Sequence, residues 1–230
     1  MPSATAPVNK RVQRQVENLG VADRTRSGGG TLLTEPILVV NQKVKLFEKK
    51  AEYEVFDQLG RKVGGVRQFG TSMSRVAVGR DNATKRLQIV DAQGMPLFTL
   101  TRPATVLKSK VIVMRGDGTH IGQIVQENTG VLGSVLGGRF NIRFRLEAEG
   151  VSVGTINAES WQAWDFSLQD PHGFEFARIT KTWAGLGRQS YTKADNYVLE
   201  IHRHLEEPLI SLVVCAALAI DTVLHQGSNR

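Results

Sequence analysis

Leu209-Ile-Ser-Leu-Val-Val-Cys-Ala-Ala-Leu-Ala-Ile220 carries no charge, one hydroxyl and seven large aliphatic side chains. With Pro208 the uncharged run is thirteen residues long, which as a helix rises roughly 20 Å. A bilayer core is about 30 Å thick and takes about 20 apolar residues to cross. Extending the helix through Thr222, Val223 and Leu224 to His225 brings Asp221 into hydrocarbon, where an unpaired carboxylate is costly. A helix that is apolar on every face still has to be buried on every face. The lumen of a closed β-barrel supplies that burial, and a membrane span is the competing reading. Pro208 suits the first turn of such a helix, with Glu206 and Glu207 near its positive end.

The rest of the chain supplies the strands for a barrel. YEVFDQLGRKVGGV (Tyr53 to Val66), LQIVDAQGMPLFTL (Leu87 to Leu100), VIVMRGDGTHIGQI (Val111 to Ile124), RFRLEAEGVSVGTI (Arg143 to Ile156) and FSLQDPHGFEFARI (Phe166 to Ile179) share one pattern. Each is an alternating strand, a polar turn with glycine in the eighth place (Gly60, Gly94, Gly118, Gly150, Gly173), and a second alternating strand. Glycine there allows the positive φ of a tight hairpin, and Asp57, Asp91 and Asp170 can bond their own backbone. Five hairpins mean at least ten strands. An antiparallel array of that size leaves two unpaired edges unless it closes or splits into a sandwich, so closure is favoured over an open sheet. The glycine spacings of 34, 24, 32 and 23 residues alternate long and short, as duplicated hairpin pairs would.

Composition agrees with a β-rich globular protein: 41% apolar residues, 22% charged residues and 23 glycines. A net charge of +7 and a pI near 9.8 suit acidic partners: anionic lipid, nucleic acid or an acidic protein. The single cysteine, Cys215, rules out an intramolecular disulfide and disfavours a thiolate zinc site. Residues 1–30 are polar, end in Ser27-Gly-Gly-Gly30 and read as a flexible basic tail, in which Val12, Val16 and Leu19 can form a short amphipathic, surface-binding helix. With no apolar h-region behind the basic residues, the expected location is cytoplasmic, or peripheral at the inner face of the plasma membrane.

The carboxyl-terminal third carries a family resemblance. An Asp-x-x-Gly hairpin is followed by Ala177-Arg-Ile-Thr-Lys-Thr-Trp183-Ala-Gly185, then Tyr191-Thr, Ala194-Asp-Asn-Tyr197 and a final helix ending in Ile220-Asp221. This resembles the phospholipid scramblase family and its relatives, the LURP-one-related and tubby-like carboxyl-terminal domains. The resemblance implies a mainly β fold: a closed antiparallel barrel of about twelve strands around a central hydrophobic helix. Residues 31–226 would form the barrel, with the helix near 206–225 and a short tail at 227–230. It also implies binding to anionic phospholipid membranes and movement of phospholipid between leaflets. The alternative is a soluble barrel that acts as a protein-interaction scaffold, since one fold hosts many functions. The proline-rich tail and acylated cysteine cluster of animal scramblases have no counterpart here.

The family's calcium segment aligns with Tyr191 to Tyr197. Lys193 stands at its leading acidic position, leaving Asp195 and Asn196 as the nearby oxygen donors. Calcium takes six to eight oxygens, so the segment reads as a turn into a strand with Tyr197, Leu199 and Ile201 on one face, and no cofactor is expected. Anionic headgroups would be held by basic residues: Arg61, Lys62, Lys85, Arg86, Lys108, Lys110, Lys181 and Arg188. Nucleic acid is disfavoured because aromatics are not interleaved with these charges. Gly133-Ser-Val-Leu-Gly-Gly138-Arg139-Phe140 lacks the lysine and hydroxyl of a phosphate-binding loop. His202 and His204 share a face of a predicted strand, with Glu200 as the sole candidate third ligand. Ser190 and the five histidines spell no nucleophile and base, so no enzyme is expected. A barrel holding an acyl ligand conflicts with a helix in the lumen.

Overall fold

The computed structural model describes residues 8–21, 28–42, 52–68, 84–103, 110–127, 143–160, 165–182 and 196–220. Twelve strands alternate direction around a closed barrel: β1 (Ile37–Gln42), β2 (Glu52–Asp57), β3 (Lys62–Gln68), β4 (Lys85–Asp91), β5 (Pro96–Arg102), β6 (Lys110–Arg115), β7 (His120–Glu127), β8 (Arg143–Ala148), β9 (Val151–Ser160), β10 (Asp165–Gln169), β11 (Glu175–Thr182) and β12 (Asn196–Ile201). Each strand pairs antiparallel with its sequence neighbours, and β1 pairs with β12 to close the ring. The five hairpins supply β2 to β11, and the flanking strands β1 and β12 complete the twelve. Tyr197, Leu199 and Ile201 do share the inner face of β12.

The hairpin turns form as their residues dictate. The five turn glycines have φ between 78° and 90°, the left-handed region that glycine alone enters without steric cost. Asp57 Oδ1 accepts the backbone N–H of Leu59 (2.9 Å) and of Arg61 (2.8 Å). Asp91 and Asp170 repeat this arrangement in their own turns. The β8–β9 hairpin is different. Glu149 (φ 52°) and Gly150 (φ 78°) are both left-handed, the pattern of a two-residue type I′ turn. A register shift lies beside every hairpin, at Val55/Phe56, Ile89/Val90, Val113/Met114, Leu146/Glu147 and Leu168/Gln169. Such bulges add twist and help the sheet curl toward closure.

The lumen holds helix α2 (Leu209–Ala219). Every residue from Ile210 to Ile220 is buried, and all but Ser211 join one apolar cluster with inward side chains such as Phe98, Phe144, Phe166 and Tyr197. Gly122 on β7 makes room: a Cβ there would overlap the backbone carbonyl oxygen of Glu147 and lie 3.3 Å from Leu212 Cδ1. Pro208, expected in the first turn, is the residue just before the helix. Glu207 accepts a hydrogen bond from Ser211 Oγ (2.8 Å) and faces Arg115 at 3.5 Å. No helix among the described residues is long and apolar enough to cross a membrane.

The amino-terminal region departs from the expected tail. Helix α1 (Lys10–Leu19) packs against the outside of the barrel. Its Val12 and Val16 are fully buried with Ile37, Val39, Phe56 and Val198, four residues that point outward from β1, β2 and β12. Asn9 caps the helix by accepting the backbone N–H of Arg11 (3.1 Å), and its own N–H donates to the Gly60 carbonyl (2.8 Å). The helix forms because two valines one turn apart find an apolar stripe that strand alternation leaves on the barrel surface.

Candidate functional site

Alternating strand direction sorts the charged residues to the two ends of the barrel. The tight hairpins β2–β3, β4–β5, β6–β7, β8–β9 and β10–β11 all lie at one end. Turn chemistry places acids at this end: Asp57, Asp91, Asp117, Glu149 and Asp170 sit in or beside the five turns, and Asp57 and Asp170 pair there with Arg61 and Arg203. Asp117 accepts the Thr119 backbone N–H (2.8 Å), a bond that holds its carboxyl below the usual range. Glu175 also titrates low. Burial pushes it up, but hydrogen bonds from Arg178 and Ser167 outweigh that push.

At the opposite end three adjacent strands carry a basic cluster. Lys85 and Arg86 open β4, Arg102 ends β5 and Lys110 opens β6. The one acid of these strands, Asp91, lies at the hairpin end. Lys85 and Arg102 are register partners across β4 and β5, so two like charges stand about 5 Å apart at Cβ. Arg86 and Lys110 are exposed. Neighbouring strands are about 4.8 Å apart, so the three strand ends span roughly 10 Å; Lys85 and Arg102 fall in line with the inward Leu87 and Leu100, and Arg86 and Lys110 on the outward side.

The residues expected to bind lipid divide accordingly. Lys85, Arg86 and Lys110 fall in this cluster, and Lys181 lies near the end of β11 remote from its hairpin, at the same end of the barrel, in register with Tyr197. Arg61 and Lys62 lie at the hairpin end. Arg61 Nε donates to the buried Asp57 carboxylate at 2.6 Å, and Lys62 pairs with Glu54 at 3.3 Å. Lys108 and Arg188 lie outside the described residues. Arg102, not singled out from the sequence, joins the cluster; the signal was its position two residues after the hairpin segment Leu87 to Leu100, opposite Lys85.

Of the calcium-type segment, Lys193 and Asp195 lie outside the described residues. Asn196 is buried at the start of β12, in register with Asn41 and Thr182. Among the described residues no three His, Cys, Asp or Glu side chains come together to hold a metal ion. His202 and His204 are not strand residues as expected: the ladder ends at Ile201, and both follow it in the segment leading to α2. His202 lies 3.8 Å from Glu175 and 3.9 Å from Glu200. Cys215 is fully buried, and desolvation pushes its thiol well above the usual range. Ser190 and the segment from Gly133 to Phe140 lie outside the described residues.

Away from the apolar stripe under α1, many outward strand positions are polar. Outward positions on β4, β5, β7, β8 and β11 include Gln88, Thr99, Thr101, Gln123, Arg145, Glu147 and Arg178, many in ion pairs such as Arg145 with Glu147 (2.6 Å). A barrel embedded in a bilayer instead carries an apolar band outward.

A family model described as Scramblase matches residues 28–226. Altered inheritance rate of mitochondria protein 25 of Saccharomyces cerevisiae is 22% identical over 199 residues, which is 74% of this chain and 59% of that protein. A phospholipid scramblase family protein of Schizosaccharomyces pombe is 20% identical over 211 residues, 85% of this chain and 54% of that protein. The chain thus spans between half and two thirds of each yeast relative's length. The X-ray structure of an Arabidopsis thaliana protein aligns with 84% of this chain and 99% of its own, at 14% identity and a TM-score of 0.47.

Proposed function

The chain belongs to the scramblase family, and from that membership we propose that it binds anionic phospholipid membranes and assists phospholipid movement between leaflets. The observation that carries the reading is the gathering of Lys85, Arg86, Arg102 and Lys110 on three adjacent strands at one end, remote from the acidic turns. Basic residues at a membrane surface contribute about 1 kcal/mol each. Four of them supply a weak, reversible, salt-sensitive attachment. Phospholipid headgroups meet the charged end, while α2 stays in the lumen as core. No nucleophile, acid–base pair or cofactor is required: moving a lipid between leaflets breaks no bond, and a protein surface that solvates the headgroup lowers the barrier.

Co-sedimentation with vesicles of anionic or zwitterionic phospholipid, followed by a lipid-flip assay after reconstitution, tests both halves. Binding to anionic vesicles with faster flip supports the reading. Binding without flip reduces it to a membrane-attached protein, and failure to bind at physiological salt removes it.

A second reading, a scaffold that binds another protein, draws on the hairpin end. Leu59, Met95, Val151 and Phe174 are exposed there on four separate hairpins. A stable partner in pull-downs, together with indifference to vesicles, favours this reading instead.

A further inference from the structure

We propose that α1 is an exchangeable membrane-binding element, docked on the barrel in solution and transferred to the anionic bilayer when the protein attaches. The proposal rests on the membrane-binding reading above and adds a second, separable contact to it.

Three observations carry it. The first is chemical asymmetry within one short helix. Lys10, Arg11 and Arg14 are exposed on one side, while Val12 and Val16 are fully buried on the other. A basic polar face opposite an apolar face is the composition that lies in the interface of an anionic bilayer. The second is the cost built into docking. Gln15 is buried beneath the helix, and neither its Oε1 nor its Nε2 has a hydrogen-bond partner. A buried amide without partners opposes the docked state, whereas at a wet lipid interface it is hydrated. Docking of α1 therefore combines two buried valines with an internal penalty, the balance expected of a contact that can exchange. The third is position. The scramblase match starts at residue 28, so α1 lies ahead of the matched barrel and covers a stripe that belongs to it.

The stripe beneath gives the readout. Val198 is buried on the outer face of β12 under α1, and the native Cys215 is fully buried in the lumen and silent. In Val198→Cys, a water-soluble thiol reagent therefore reports whether α1 covers the stripe. Labelling of the full chain is timed alone, with phosphatidylcholine vesicles, and with vesicles containing phosphatidylserine. The expected result is a several-fold rise in labelling rate with phosphatidylserine only. Adding Lys10→Gln, Arg11→Gln and Arg14→Gln should abolish that rise, and Gln15→Leu should slow labelling in every condition by removing the penalty on docking. Vesicle binding with an unchanged labelling rate overturns the exchange while leaving membrane binding by the barrel end intact. Absence of binding to either vesicle overturns both.

Discussion

Gly60 and Gly118 are matched in backbone and unmatched in surroundings, so substituting each with alanine isolates the free energy that holds α1 on the barrel. Both have positive φ, 78° and 90°, and alanine in the left-handed region costs about 1–2 kcal/mol. A Cβ on Gly118 meets nothing within 4 Å, whereas one on Gly60 would lie 2.5 Å from the Asn9 carbonyl oxygen. Gly60→Ala therefore adds a collision with the start of α1, and relief is available only if the helix leaves. The extra cost cannot exceed the docking free energy. Burying Val12 and Val16 yields about 3–6 kcal/mol as an upper estimate. The unpaired Gln15 amide takes back about 1–3 kcal/mol, and a helix of ten residues is marginal on its own. At their midpoints these contributions leave about 2.5 kcal/mol of net docking. Urea unfolding at constant m-value should find Gly60→Ala less stable than Gly118→Ala by that amount. In a Val16→Asp background, where α1 is already released, the two substitutions should cost the same. An equal difference in both backgrounds would refute the docking account.

Further predictions concern the core and the pH profile. Leu212→Ala should cost about 2–5 kcal/mol in chemical denaturation, because Leu212 is fully buried in the lumen; a loss well under 1 kcal/mol would mean that α2 is not packed as described. Gly122→Ala, whose methyl would overlap the Glu147 carbonyl oxygen, should lower stability by about 1–3 kcal/mol or more, against no loss if β7 stands off from β8. The carboxyl of Glu175 titrates below its ordinary value of 4.5 when folded, so the unfolded chain takes up the proton first. That part of the stability is complete above the ordinary value and is lost as pH falls through the lower folded one. Glu175→Gln should flatten this acid limb, and an unchanged limb would count against the Arg178 and Ser167 bonds as its source.

The barrel was legible because its signals are local. Each hairpin announces itself within fourteen residues by alternation, an Asp or Glu near the turn and a glycine, and α2 by an uncharged run too short for a bilayer. Docking of α1 was not legible. Its partners Ile37, Val39, Phe56 and Val198 come from three strands and form a stripe only once β12 closes against β1. The basic cluster was half legible for the same reason. In the sequence Arg61 and Lys85 look equivalent, yet strand direction sends them to opposite ends. Arg61 then serves a buried Asp57, while Arg102 comes into register with Lys85. A long-range pairing has no trace in either segment alone.

The central claim is that Lys85, Arg86, Arg102 and Lys110 form the membrane-binding end. Binding to phosphatidylserine vesicles across a salt series, for the wild-type chain and for the variant with all four changed to glutamine, tests it most directly. At about 1 kcal/mol per charge the variant should bind up to about a thousandfold more weakly. The wild-type affinity should fall steeply with salt, and Lys62→Gln at the hairpin end should change nothing. Equal binding by the wild type and the four-site variant would contradict the account.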